Sequence, residues 1–119
     1  MTMGKLTTHV LDTAHGCPAT GVQVALYRIE GESRILLRTA QTNADGRCDA
    51  PILQGDDLVA GVFELQFQAG AYFAARGVDL PAPRFVDVVS LRFGIADASA
   101  HYHVPLLVSP FSYSTYRGS

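Results

Sequence analysis

No apolar run in the sequence approaches the 18 to 20 residues, roughly, that a membrane-spanning helix needs, so a membrane protein of that kind is not expected. The opening stretch MTMGKLTTHVLD has no apolar centre of the kind a secretory signal carries, and a cytoplasmic location is the default expectation. Cysteine is scarce: Cys17 and Cys48 have no C-x-x-C spacing, which favours reduced thiols over a disulfide framework. Charge is also modest, at 17% of residues with a net charge of −2. The nine basic residues, eight of them arginine, are scattered instead of gathered in a stripe, which argues against a nucleic-acid binder. Internal repeats, low-complexity tracts and linkers are lacking as well.

What is present is one domain's worth of chain: 119 residues, 48% of them hydrophobic, enough for a single core spanning 1–119. Alternation of period two runs through it. In VQVALY, Val22, Val24 and Leu26 oppose Gln23, Ala25 and Tyr27. In VFELQFQ, Phe63, Leu65 and Phe67 oppose Glu64, Gln66 and Gln68, the signature of a strand with one wet face. LTTHVLD, SRILLRTAQT, FVDVVSLRFGI and YHVPLLV add further strands. Turn chemistry separates them at Gly31-Glu32-Ser33 and at Asn43-Ala44-Asp45-Gly46, while Pro81-Ala82-Pro83 re-aims the chain. Only AGAYFAAR, residues 69–76, favours a helix, with Gly77 to end it. About eight short strands and one small helix predict an all-β, two-sheet sandwich, with edge strands that invite pairing to another subunit.

Several residues carry chemistry. His101 and His103 project from one face of their strand and Tyr102 from the other, while His9 shares its face with Thr7 and Leu11. An imidazole titrating near pH 6.5 can take a proton from water and return it to a leaving group, so His9 and His103 are candidates for acid/base work. Equally, each suits a wet sheet face as an ordinary polar residue. H-x-H also resembles part of a three-histidine zinc site, although no nearby cysteine or carboxylate completes it. His15, in DTAHGCP, reads as a solvated turn residue. Arg47, after Asp45-Gly46, has the planar fork to polarise a carbonyl or hold an anion, or else is a solvated turn arginine. The tail SPFSYSTYRGS alternates like a strand, Tyr113, Thr115 and Arg117 one way and Ser112, Ser114 and Tyr116 the other, and Ser119 ends it with a hydroxyl and a carboxylate.

From Leu6 to Ser119 the chain resembles the 5-hydroxyisourate hydrolases, the transthyretin-related enzymes of purine degradation. LTTHVLDTAHGCPA resembles the family's N-terminal block, TNADGRCD its arginine-bearing turn, and HYHVPLLVSPFSYSTYRGS its C-terminal signature. The closing Tyr-Arg-Gly-Ser is the most specific of these and separates the hydrolases from transthyretin, the hormone carrier of the same fold. The resemblance implies a transthyretin-like sandwich, a homotetramer built as a dimer of dimers with sites at the dimer–dimer interface, and no metal or other cofactor. It implies a catalytic set of His9, Arg47, His103 and Ser119, with Tyr116, Arg117 and Gly118 completing the substrate pocket and His101 in support. The reaction implied is hydrolytic opening of an oxidised purine, 5-hydroxyisourate, at an amide-type C–N bond, one histidine drawing the proton from water and the other orienting it or supplying a proton. Arg47 would then polarise the carbonyl and Ser119 position water or substrate; no nucleophile elbow marks a serine nucleophile. Two alternatives stand beside it: a carrier that holds a small aromatic ligand unchanged, and a plain interaction module in which these residues are silent. The chain departs from many relatives after Phe85, where Val86 stands in place of a proline, and Cys48 has no role assigned by the resemblance.

Overall fold

The computed structural model describes residues 3–118. Eleven short strands form in chain order: β1 (Lys5–Thr7), β2 (Val10–Asp12), β3 (Cys17–Pro18), β4 (Gln23–Glu30), β5 (Ser33–Gln41), β6 (Leu53–Gln54), β7 (Gly61–Gln68), β8 (Val88–Ile95), β9 (His101–His103), β10 (Leu106–Ser109) and β11 (Ser112–Thr115). Among the described residues one α-helix forms, α1 (Ala69–Ala75), between β7 and β8. The count exceeds the expected eight partly because two segments that read as continuous strands are each broken. LTTHVLD breaks at Thr8-His9, and YHVPLLV breaks at Val104-Pro105, where proline has no N–H to give to a ladder.

Two layers face each other. One is the antiparallel sheet β5-β4-β7-β8. The other consists of β6-β1-β9 followed by β11-β10-β2-β3, with β1 parallel to β9 and β2 parallel to β10. Bonding continues across the paired breaks, because Val104 N donates to Thr7 O and Leu106 N to His9 O, each at 2.9 Å. Thr8, buried, seals the gap by donating its hydroxyl to Val104 O at 2.7 Å. The register is therefore the same on both sides of the break, Thr7 opposite His103 and Val10 opposite Leu106.

Alternation sorts the side chains between core and exterior. Leu6, Thr8 and Val10 point inward with Tyr102, Val104, Leu106 and Val108, while Lys5, Thr7, His9, His101 and His103 are more exposed. Val24, Leu26, Phe63, Leu65, Phe67, Val89 and Leu91 of the first layer close the same core. Burying each such side chain is worth about 1.5–3 kcal/mol, and Phe63, Phe67 and Phe73 are fully enclosed. The wet face expected along β7 is drier than its pattern implies. Glu64 is nearly buried, held by Gln66 at 2.8 Å, Arg34 at 3.1 Å and Arg92 at 3.4 Å, and these partners hold its carboxyl below the usual range against the opposing effect of burial.

Helix α1 packs Ala69, Gly70, Tyr72 and Phe73 inward and ends as anticipated, with Gly77 at φ +84°. It is tied to the β2–β3 turn by Asp12, whose buried carboxylate accepts from Tyr72 Oη at 2.8 Å and from the His15 backbone N at 3.0 Å. His15 is an exposed turn residue, as its sequence implies, and it is anchored as well. Its Nδ1 lies 2.6 Å from Asp12 Oδ2 and its ring stacks against Phe73 with centroids 6.3 Å apart. Among the described residues no helix is long and apolar enough to cross a membrane.

Candidate active site

The paired breaks bring a polar face together. His9 sits in the first break and forms an isolated antiparallel bridge with Arg47. The turn TNADGR makes this possible. Asn43 Oδ1 accepts from the backbone N of Asp45 at 2.9 Å and of Arg47 at 3.2 Å, and Gly46 adopts φ +74°. Gly46 has a second reason to lack a side chain: its N-terminal strand neighbour is Val10, whose carbonyl oxygen would meet an added methyl in hard contact, and Gly46 O accepts from Val10 N at 2.8 Å. The arginine is thereby delivered beside β1 and β2 with an exposed side chain.

His103, half-buried, ends β9 opposite Thr7. Its Nδ1 lies 2.8 Å from Thr7 Oγ1, and its carbonyl accepts from Gly118 N at 2.7 Å. Burial, then the charges of Arg47 and His9, push the imidazole below the ordinary histidine value of 6.5. At neutral pH it is uncharged and able to accept a proton.

Lys5, Thr7, Arg47, His101 and His103 line one open depression of about 470 Å³. Among the described residues neither Lys5 nor Arg47 has an ion-pair partner, and the rim presents these two cations beside a neutral imidazole. That arrangement suits an anionic or carbonyl-rich ligand and opposes a divalent cation at H-x-H. Among the described residues no three histidine, cysteine or acidic side chains gather at metal-binding range.

The tail divides. Strand β11 stops at Thr115, whose hydroxyl donates to Pro105 O at 2.7 Å, and the alternation expected through Arg117 ends there. The chain then bends so that Gly118 bridges His103. Arg117 Nη2 donates to His101 O at 3.0 Å, and its guanidinium lies 4.3 Å from the ring centroid of Tyr102, on the inward side of β9. Tyr116 and Arg117, with Ser90, Phe93, Tyr102 and Thr115, line a second groove of about 400 Å³. The structure thus brings His9, Arg47, His103 and the backbone of Gly118 together, while Tyr116 and Arg117 line a different groove. Ser119 lies outside the described residues. Two residues of the depression, Lys5 and Thr7, were not singled out from the sequence. The signal available was position alone, since they precede His9 by four and two residues on the same strand face.

A two-layer sandwich of this topology with one short helix is of the transthyretin type. The sequence matches the HIUase/Transthyretin family over residues 6–118, and the chain belongs to that family. It is 64% identical over 117 residues to 5-hydroxyisourate hydrolase of Pseudomonas aeruginosa, covering 98% of this chain and 93% of that protein. Among solved structures, (S)-allantoin synthase superposes with a TM-score of 0.94 at 46% identity, matching 99% of this chain, which spans only 44% of that longer protein. Sea bream transthyretin, solved in complex with thyroxine, superposes with a TM-score of 0.85 at 27% identity over 96% of this chain and 94% of its own.

Proposed function

We propose that this chain hydrolyses 5-hydroxyisourate, opening its six-membered ring in urate degradation. The observation that carries the reading is His103, a half-buried imidazole held neutral beside Arg47 and His9, in a chain 64% identical to a 5-hydroxyisourate hydrolase. A carrier that only holds an aromatic ligand has no use for a neutral base in a depression lined by two cations.

Each step of the reaction has an owner. His103 takes a proton from water as the water oxygen attacks the ring carbonyl carbon. Arg47 stabilises the charge that develops on the carbonyl oxygen by paired N–H donors. The C–N bond then breaks, and the proton returns to the departing nitrogen from the histidine pair, His9 orienting the water or supplying that proton. Ser119 positions water or substrate through its hydroxyl or terminal carboxylate, and Gly118 fits the tail against His103. Arg117 and Tyr116 shape the pocket indirectly, since Arg117 clips the tail to His101 O and the Tyr102 ring. His101 supports the same rim.

The working form in this reading is a homotetramer, a dimer of dimers with sites at the dimer–dimer interface. Its support is the exposed outer edges of β8 and β11 and the exposed Phe85–Phe111 pair beside them, 76% and 63% accessible with ring centroids 6.4 Å apart. The same reading puts the enzyme in the cytoplasm, where the free thiols of Cys17 and Cys48 stay reduced.

The test is spectroscopic. 5-Hydroxyisourate is generated in situ with urate oxidase, and the protein should speed the decay of its ultraviolet absorbance above the spontaneous rate. His9→Ala and His103→Ala should each cost about 10²- to 10⁴-fold in turnover with the fold intact. Near-normal ring opening by either variant removes that histidine from the mechanism.

A further inference from the structure

His103 is gripped on both flanks of its ring. On one side Nδ1 meets Thr7 Oγ1 at 2.8 Å. On the other, Cδ2 faces Gly118 so closely that a methyl group there would stand 2.8 Å from it. Nδ1 and Cδ2 are the two ring atoms bonded to Cγ. The outer edge, Nε2 with Cε1, is therefore what remains free to serve the depression lined by Lys5, Arg47 and His101.

We infer that Thr7 is a positioning residue whose hydroxyl accepts a hydrogen bond from His103 Nδ1–H, fixing the tautomer that leaves a proton-accepting lone pair on Nε2. The inference rests on the reading of His103 as the general base. A threonine hydroxyl can either donate or accept, so the 2.8 Å contact alone does not choose. Among the described residues the surrounding charges do. Lys5 and Arg47 offer only donors, and a lone pair on Nε2 meets them favourably whereas an N–H would meet them badly. His9 and His101, the other titratable groups near this face, add no acceptor stronger than a neutral imidazole nitrogen.

The hydroxyl proton of Thr7 also has somewhere to go. Among the described residues Thr7 Oγ1 has no hydrogen-bond partner except His103, and it lines the depression, so it can donate to water or substrate there. The branched Cβ restricts χ1 and holds the oxygen in place, which an unbranched serine does less firmly. Thr7 and His103 are 96 residues apart, and only the parallel pairing of β1 with β9 makes them neighbours.

The experiment has two arms on the full-length protein. In the first, two-bond 1H–15N correlation spectra read the ring tautomer of His103 at a pH where it is neutral. Wild type should show Nδ1–H, and Thr7→Val, which keeps the shape and deletes the hydroxyl, should move the population toward Nε2–H. A wild-type ring in the Nε2–H form overturns the assignment. In the second arm, Thr7→Val should lower kcat by about 10-fold, the loss of one hydrogen bond to a group that becomes charged, with KM changed less than about twofold. Thr7→Ser should recover most of the loss. The acid limb of the Thr7→Val profile should move to lower pH, because an acceptor that favoured the imidazolium is gone. A move to higher pH means that Thr7 donates to Nδ1, and the inference fails. The spectra need no substrate: an Nε2–H spectrum sinks the Thr7 assignment while leaving the hydrolase standing. Absent ring opening by wild type would sink the functional reading while leaving the hold of Thr7 on the tautomer intact.

Discussion

Replacing Gly118 by alanine is the sharpest single perturbation of the proposed site. The added methyl would stand 2.8 Å from His103 Cδ2, 3.1 Å from its Cβ and 3.2 Å from its Cγ. Carbon atoms rest at about 3.5–4.0 Å, so something must yield by about 0.7–1.2 Å. Gly118 does not occupy the left-handed region, and alanine there carries no backbone strain of its own. The displacement falls on the His103 ring or on the tail that bridges it. A misplacement of about 1 Å in a catalytic group costs on the order of 10²-fold, equivalent to about 2.7 kcal/mol of transition-state stabilisation. Stability should suffer far less, since at most the Gly118 N to His103 O bond is lost, worth about 1 kcal/mol. The assay follows decay of 5-hydroxyisourate generated in situ and, in parallel, thermal unfolding by calorimetry. Expected are a fall in kcat/KM of about 100-fold and a Tm lowered by a few degrees. Activity within about threefold of wild type would refute the close-fit argument, and so would a loss of activity that merely tracks unfolding.

Three further outcomes follow from the same geometry. Burial first, then Arg47 and His9, depress the His103 pKa, so removing the charge in Arg47→Gln makes protonation easier and should move the acid limb of kcat to higher pH, while Arg47→Lys should not. A limb that stays put or moves down would show that the Arg47 charge does not act on His103. Asp12→Ala strands Tyr72 Oη and His15 Nδ1 without their shared acceptor and should cost about 3 kcal/mol in denaturant unfolding at neutral pH. Burial alone would raise the Asp12 pKa, but the hydrogen bonds from Tyr72 and His15 outweigh it and hold it below 3.8; the wild-type advantage should be complete above that value and shrink as pH falls below it. Deleting Ser119, or extending the chain past it, should cut ring opening about 10²-fold with almost no change in Tm, and a proportional loss of both would remove Ser119 from the site.

The sandwich was legible because alternation is local. VFELQFQ names its buried face in seven letters, and Phe63, Leu65 and Phe67 are enclosed as their spacing implies. The helix was equally readable from AGAYFAAR and Gly77. Less legible was the dryness of Glu64, because its cover comes from Arg34 on β5 and Arg92 on β8. The exposure of His15 was readable from its turn. Its contacts with Asp12 and Phe73 were not, because the helix that carries Phe73 must first pack beside that turn. In the tail, period two predicted a strand through Arg117, but a side-chain bond from Thr115 to Pro105 and the stacking of Arg117 on Tyr102 bend the chain away.

The sequence by itself determined which face each residue would take, and through HYHVPLLVSPFSYSTYRGS and its two companion motifs it identified the family. That information is local, since side-chain period and turn chemistry are set by neighbours along the chain. Only the tertiary structure decided which strands would lie side by side. Parallel pairing of β1 with β9 has no local signal, because it is chosen by how Leu6, Tyr102 and the rest of the core pack across the whole chain. That one choice places Thr7 against His103, and the bend of the tail places Gly118 against the same ring.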